Sequence, residues 1–205
     1  MLKRGIKPAA FVGLDPEEIL KDYLIEMPDV TYYLAGQVHP GVFDHLKGKN
    51  VRLWFPADPD VKFPVGAVPV YGGSTCLSRA PNLAYLLGWR DVHIIGGDSS
   101  YTRKSHVYGE SGDLPPGTFP VELNGKMFIT TRQMMQQACE FAEQMVEWAR
   151  PGADGSKPLD VSLYGEGLMQ EMFRQNFESG TYAQYLSETE SLGLNRKQRR
   201  AMRKR

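Results

Sequence analysis

Short apolar runs alternate along the chain with segments of helical period, and the alternation predicts its elements in order. Ala9 to Leu14 reads as a strand. Asp15-Pro16-Glu17-Glu18 then reads as a helix start, with Asp as N-cap, Pro at the first helical position and acids in the first turn. Ile19, Leu20, Tyr23 and Leu24 form the apolar face of that helix, and Met27-Pro28 stops it. Val30 to Leu34 is a second strand, followed by His39-Pro40-Gly41 and a short helical piece around Phe43 to Leu46. Val51 to Phe55 is a third strand, ended by Pro56. Residues 56 to 73 are rich in Pro and Gly, with Val68 to Tyr71 as a short strand.

Ser74 opens the next helical pattern, in which Leu77, Ala80, Ala84 and Leu87 share a face and Gly88 ends the run. Pro81 lacks an N–H and crowds the carbonyl four residues back, so a kink there or a later helix start is expected. Val92 to Ile95 reads as a fourth, buried strand running into Gly96-Gly97-Asp98, and residues 98 to 120 as a long polar loop of the kind that is usually functional or mobile. Val121 to Leu123 and Met127 to Ile129 flank Asn124-Gly125, a favoured two-residue hairpin turn. Thr130 with Gln133 gives a capping-box signature for a helix to about Arg150, whose apolar stripe is Met134, Ala138, Phe141, Ala142, Met145 and Ala149. Leu159 to Tyr164 is a last strand, and Gly165-Glu166-Gly167 leads into a helix through about Phe177.

Strands alternating with helices define an α/β class with a mainly parallel sheet flanked by helices and a small β-hairpin insertion. One such domain is expected over residues 1–180, with residues 181–205 as a basic C-terminal tail expected to be disordered. In this architecture ligands bind at the carboxyl ends of the strands. The polar residues at those ends are Asp15, Gln37 to His39, Gly72 to Ser74, Gly97-Asp98 and Gly165-Glu166.

Charge changes the picture in one respect. The 205 residues carry 24 basic and 24 acidic side chains, but Arg196, Lys197, Arg199, Arg200, Arg203, Lys204 and Arg205 crowd the last stretch. The remainder has 17 basic against 24 acidic residues, a charge of about −7. Any nucleic-acid contact argued from charge therefore belongs to residues 195–205, which have no aromatic residue for stacking and either make only weak, salt-sensitive contacts or are a solvated, solubilising terminus. No apolar stretch approaches a membrane span, and the basic N-terminus lacks the apolar run of a signal peptide. Cys76 and Cys139 make no disulfide framework and have no metal-ligand spacing, so a reduced, cytoplasmic protein is the expectation.

Several residues carry candidate chemistry. Gly72-Gly73-Ser74 before a helix either presents N–H groups and a hydroxyl to a phosphate or makes a tight turn with Ser74 as N-cap. Asp98 at a strand end either meets a ribose hydroxyl or divalent cation or caps a turn. Asp15 has the same two readings. His106, in Arg103-Lys104-Ser105-His106, is either an acid–base or phosphate-holding group or a solvated loop histidine. His39 shares that ambiguity, while His45 and His93 read as structural. The nine methionines read as core filler.

The run Gly72-Gly-Ser-Thr-Cys-Leu-Ser-Arg-Ala-Pro-Asn-Leu-Ala-Tyr-Leu-Leu-Gly88, then Val92-His-Ile-Ile-Gly-Gly-Asp-Ser-Ser-Tyr101 and Ser105-His106, resembles the 6-hydroxymethylpterin diphosphokinase MptE-like family. That family is also seen in motility-associated glycosylation proteins and is similar in fold to a group of bacterial sialyltransferases. Gly5-Ile-Lys-Pro8 with Leu14-Asp15-Pro16 resembles its earlier segment, and the likeness spans roughly residues 2 to 150. It implies a Rossmann-like domain that is N-terminally incomplete, beginning after the strand and G-x-G-P-S-like loop that family members carry. It also implies a nucleotide-dependent transferase of the diphosphokinase type, using ATP and Mg²⁺. In that reading Asp98 and His106 are catalytic, Gly72, Gly73, Ser74 and Asp15 bind the nucleotide, and Asp98 and Asp15 hold the metal. The alternatives are a glycosyltransferase using a nucleotide sugar, with His106 as acid–base group, and a non-catalytic binding or assembly protein, encoded by a phage, on the same scaffold. A homo-oligomer is compatible with each.

Overall fold

Four apolar runs bounded by turn residues pair in the order in which the chain makes them. In the computed structural model, which describes residues 5–58, 62–101, 114–152 and 155–174, the chain divides after Gly88 into two units. In the first, β1 (Ala10–Gly13), β2 (Thr31–Ala35), β3 (Asn50–Pro56) and β4 (Pro69–Val70) form one sheet in sequence order, every pair parallel. The connections are α1 (Leu20–Tyr23) and α2 (Pro40–His45), with a Pro- and Gly-rich loop before β4; α3 (Cys76–Leu86) follows.

Burial explains the strands. Tyr32 and Leu34 of β2 share a face and are almost wholly buried, with Leu14, Leu20, Val38, Val42, Leu46 and Trp54 in the same core. Each such side chain contributes roughly 1.5–3 kcal/mol by leaving water. The Tyr32 hydroxyl donates to the Ile25 carbonyl at 2.7 Å and accepts from Met27 N at 2.9 Å, so this core phenol has partners for its polar tip.

The second unit contains two small sheets. β5 (Asp91–Ile95) pairs in parallel with β8 (Asp160–Tyr164), while β6 (Phe119–Leu123) and β7 (Lys126–Thr130) form the antiparallel hairpin expected around Asn124-Gly125. α4 (Arg132–Trp148) buries Ala138, Phe141, Ala142, Met145, Val146 and Trp148, and α5 (Leu168–Phe173) follows β8. The α/β class and the hairpin therefore stand. No helix among the described residues is long and apolar enough to cross a membrane.

Several local expectations shift. α1 begins at Leu20, because Asp15 Oδ1 accepts from Glu17 N at 2.9 Å and closes a side-chain turn instead of capping a helix. α3 is capped by Thr75, not Ser74: Thr75 and Ser78 form a reciprocal capping box, and the helix runs on through the buried Pro81. α4 is capped by Thr131, which accepts from Met134 N, rather than by Thr130. Thr130 is fully buried and donates to the Ser99 carbonyl at 2.8 Å. β5 buries Ile94 but leaves Ile95 83% exposed, so it is a one-faced strand and not a buried one.

Candidate functional site

The carboxyl ends of β5 and β8 lie side by side, with Ile95 in register with Tyr164. Beyond β5 the chain turns through Gly96, at φ +86°, and the buried Gly97 to Asp98. Beyond β8 it turns through Gly165, at φ +129°, to Gly167, which caps α5. The two loops interlock. Asp98 Oδ1 accepts from Gln170 Nε2 at 3.0 Å, and the same nitrogen donates to the Tyr164 carbonyl at 3.1 Å. The Asp98 carbonyl accepts from Met169 N at 3.1 Å, and Ser100 Oγ accepts from Leu168 N at 3.1 Å.

Two glycines allow this approach. A Cβ on Gly165 would lie 2.8 Å from Gln170 Nε2 and 2.9 Å from Asp98 Oδ1. A Cβ on Gly167 would lie 2.5 Å from Asp98 Cα. At Gly167 a larger residue requires movement of the Asp98 backbone, whereas at Gly165 it requires the Gln170 and Asp98 side chains to shift and a strained positive φ. The Gln170 amide has its orientation fixed, because both groups facing its nitrogen are acceptors. Its Oε1 is buried and has no hydrogen-bond partner among the described residues, an acceptor held away from water at a cost of about 1–3 kcal/mol.

The neighbouring residue Glu171 is also buried. Its carboxylate accepts from Arg174 at 2.8 Å, Asn124 at 3.0 Å and Lys126 at 2.9 Å, tying α5 to the turn of the β6–β7 hairpin. These donors, Arg174 foremost, hold its carboxyl down to about 2. A cavity of about 580 Å³ opens beside the start of α4, between Tyr101, Pro116, Gly117, Arg132, Gln133 and Gln137.

In the first unit, Gly72, at φ +150°, closes against the first turn of α3: a Cβ there would lie 2.8 Å from the Ser78 carbonyl. Arg79 shapes the loop from within, donating through Nε to the Gly73 carbonyl at 2.7 Å and through Nη1 to the Val70 carbonyl at 3.0 Å. Ser74 is exposed. Cys76, the first residue of α3, directs its thiol at the Val12 carbonyl at 3.7 Å, and burial pushes that thiol up from its ordinary range. The Asp15 charge pushes the same thiol up, less strongly than burial does. A phosphate at this helix start would feel that same negative charge.

The residues singled out from the sequence thus fall into two groups. Asp15, Gly72, Gly73 and Ser74 belong to the first unit and Asp98 to the second, while His106 and the basic tail lie outside the described residues. His39 has a structural task as the cap of α2, accepting from Gly41 N at 3.1 Å. His45 packs near the Leu24 carbonyl, as expected of a structural residue. His93, by contrast, is exposed on β5 and pairs with Tyr164. No group of three or more His, Cys, Asp or Glu suited to a metal ion occurs among the described residues. Gln170, Gly167 and Ser100 were not anticipated. The signal that points to them is the Gly-x-Gly after the last strand, once that strand is paired with β5.

Compared with protein-family models, curated proteins and solved structures, the chain gives no match.

Proposed function

We propose that this chain is a nucleotide-dependent transferase of the diphosphokinase-like type, moving diphosphate from ATP to an acceptor on a Rossmann-like arrangement of parallel strands. The observation that carries the reading is the fixed carboxylate of Asp98 at the paired ends of β5 and β8, held by Gln170 and enclosed by glycine turns. Ligands of parallel α/β sheets bind at such strand ends. The resemblance at residues 72 to 106 supplies the reaction class.

In this reading the protein's contribution is positioning and charge neutralisation, since phosphoryl groups are transferred with little covalent help from side chains. Asp98 has one oxygen engaged by Gln170, which fits an ion that arrives on the nucleotide's own phosphates better than a closed protein cage. Bound Mg²⁺ would offset the phosphate charge. Asp98 would hold that ion in place, and the Gly73-Ser74 backbone would offer N–H groups to an anion in its own unit. The setting is the cytoplasm.

A second reading, a non-catalytic binding protein on the same scaffold, is favoured by one observation: the polar groups at both loops already have internal tasks. Thr75 and Ser78 satisfy the start of α3, Arg79 holds the glycine loop, and Asp98 clips the end of β5 to α5.

Titration calorimetry with ATP–Mg²⁺, a cytidine nucleotide sugar and hydroxymethylpterin separates the readings. The transferase reading expects ATP–Mg²⁺ to bind and Asp98→Asn to weaken it at least about tenfold. The melting temperature should barely move, because the Asn carbonyl still accepts from Gln170. A folded chain that binds none of the three supports the second reading, and binding of the nucleotide sugar alone supports glycosyl transfer.

A further inference from the structure

The β5–β8 pair buries one face and exposes the other. Ile94 and Val161 point to the buried side, so the alternation of a strand places Asp91, His93 and Ile95, with Ser162 and Tyr164, on the opposite face. There His93 Nδ1 stands 2.8 Å from the Tyr164 hydroxyl, and His93 Nε2 stands 3.3 Å from Asp91 Oδ1. The imidazole has one nitrogen on a phenol and the other on a carboxylate. With its proton on Nε2, the nitrogen facing Asp91, the ring presents Nδ1 as an acceptor to the phenol O–H.

This is the arrangement that activates a hydroxyl nucleophile: a hydroxyl bonded to a base, and the base oriented by an acid. We propose that Asp91, His93 and Tyr164 form a relay that makes the Tyr164 phenol oxygen a nucleophile toward activated acyl esters. The exposed Ile95, in register with Tyr164, gives the acyl chain an apolar platform. In the step, the phenol oxygen bonds to the ester carbonyl carbon as its proton passes to His93 Nδ1. The ester C–O bond breaks, the leaving phenoxide or alkoxide departs with the bonding pair, and the proton on His93 is then released to it or to solvent. Asp91 steadies the imidazolium meanwhile. The product is an acyl ester of Tyr164 and one equivalent of free alcohol or phenol.

The chain contains its own controls, since Tyr23 and Tyr71 are more exposed than Tyr164, at 64% and 66% against 49%. The full chain is treated with p-nitrophenyl acetate, and the acetylated tyrosines are located and timed by peptide mass spectrometry. Tyr164 is expected to be acetylated at least about tenfold faster than Tyr23 and Tyr71, the scale of a modest general-base effect. His93→Gln should bring it down to their rate, and Asp91→Asn should slow it severalfold. The rates at Tyr23 and Tyr71 should stay constant in both variants, and an unchanged thermal unfolding curve by circular dichroism shows that the fold is intact. Equal rates at the three tyrosines, or a Tyr164 rate that His93→Gln leaves unchanged, overturns the proposal.

Discussion

Gly167 stands so close to Asp98 that a single added methyl group would lie 2.5 Å from the Asp98 Cα. Both sides of that contact are backbone, so no side-chain rotation relieves it. Gly167→Ala is expected to lower stability by about 2 kcal/mol or more, as overpacking of a closed contact does. Thermal unfolding followed by circular dichroism measures the loss. An unchanged midpoint would mean that the Asp98 loop yields freely, which would remove the basis for calling its carboxylate fixed.

Gln170 is the residue that tells an amide from an acid most sharply. Its nitrogen faces two acceptors, so Gln170→Glu places a third acceptor against Asp98 Oδ1 and the Tyr164 carbonyl. At neutral pH this buried like-charge contact should cost about 3 kcal/mol or more. The penalty should shrink as pH falls and the new carboxyl takes up a proton it can donate. Gln170→Met removes the donor and the orphaned oxygen together and should cost only about 1–3 kcal/mol, with little pH dependence. Urea unfolding of both variants at pH 7 and pH 4 distinguishes them.

Glu171 gives the wild-type protein an acid-sensitive joint. Its carboxyl is held down to about 2 in the folded chain, below the ordinary value of 4.5. The unfolded state therefore binds the proton first on acidification. The stability due to Glu171 is complete above the ordinary carboxylate range and is lost as pH drops from about 4.5 toward about 2. Glu171→Gln should be less stable than wild type at neutral pH and should show a flatter decline over that window. Parallel acid limbs in the two proteins would assign the acid loss elsewhere.

Arg79 is expected to govern the order of the glycine loop in the first unit. Arg79→Ala removes the Arg79 donor from the Gly73 carbonyl and from the Val70 carbonyl, which keeps Ala57 N at 2.8 Å, and should cost about 1–3 kcal/mol. Hydrogen exchange of the amides of residues 72 to 75 should accelerate with it. Arg79→Lys should not restore the wild-type exchange rates, because an ammonium lacks the forked geometry that reaches both carbonyls.

The strands were legible because a short apolar run between turn residues has few alternatives. β1, β2, β3, β4 and β8 fall within a residue or two of the pattern. Helix starts were less so where two hydroxyl residues adjoin. Ser74 and Thr75, or Thr130 and Thr131, are interchangeable in composition, and only the bond to the third residue onward decides which one caps. Asp15-Pro16 carried the right cap residues for a helix that begins later, because the short Asp side chain reached the nearer N–H first. Of the candidate site, Asp98 was visible as a carboxylate at a strand end. Its dependence on Gln170 was not, since no local pattern announces a parallel pairing between strands so far apart in sequence. The exposure of His93 was hidden for a related reason: an apolar run does not reveal that only one of its faces is covered.

The span of 72 residues between Asp98 and Gln170 also sets an order of events during synthesis. β1, β2 and β3 are made one after another and can dock as they emerge, whereas among the described strands β5 has no partner until β8 has been translated. At roughly 5–20 residues per second, that interval lasts several seconds. During it, Ile94 and Ile95 form part of an unpaired, sticky edge on the nascent chain. Slow codons or a stall between residues 98 and 170 would lengthen that exposure, so the segment most open to aggregation is the one that later positions Asp98.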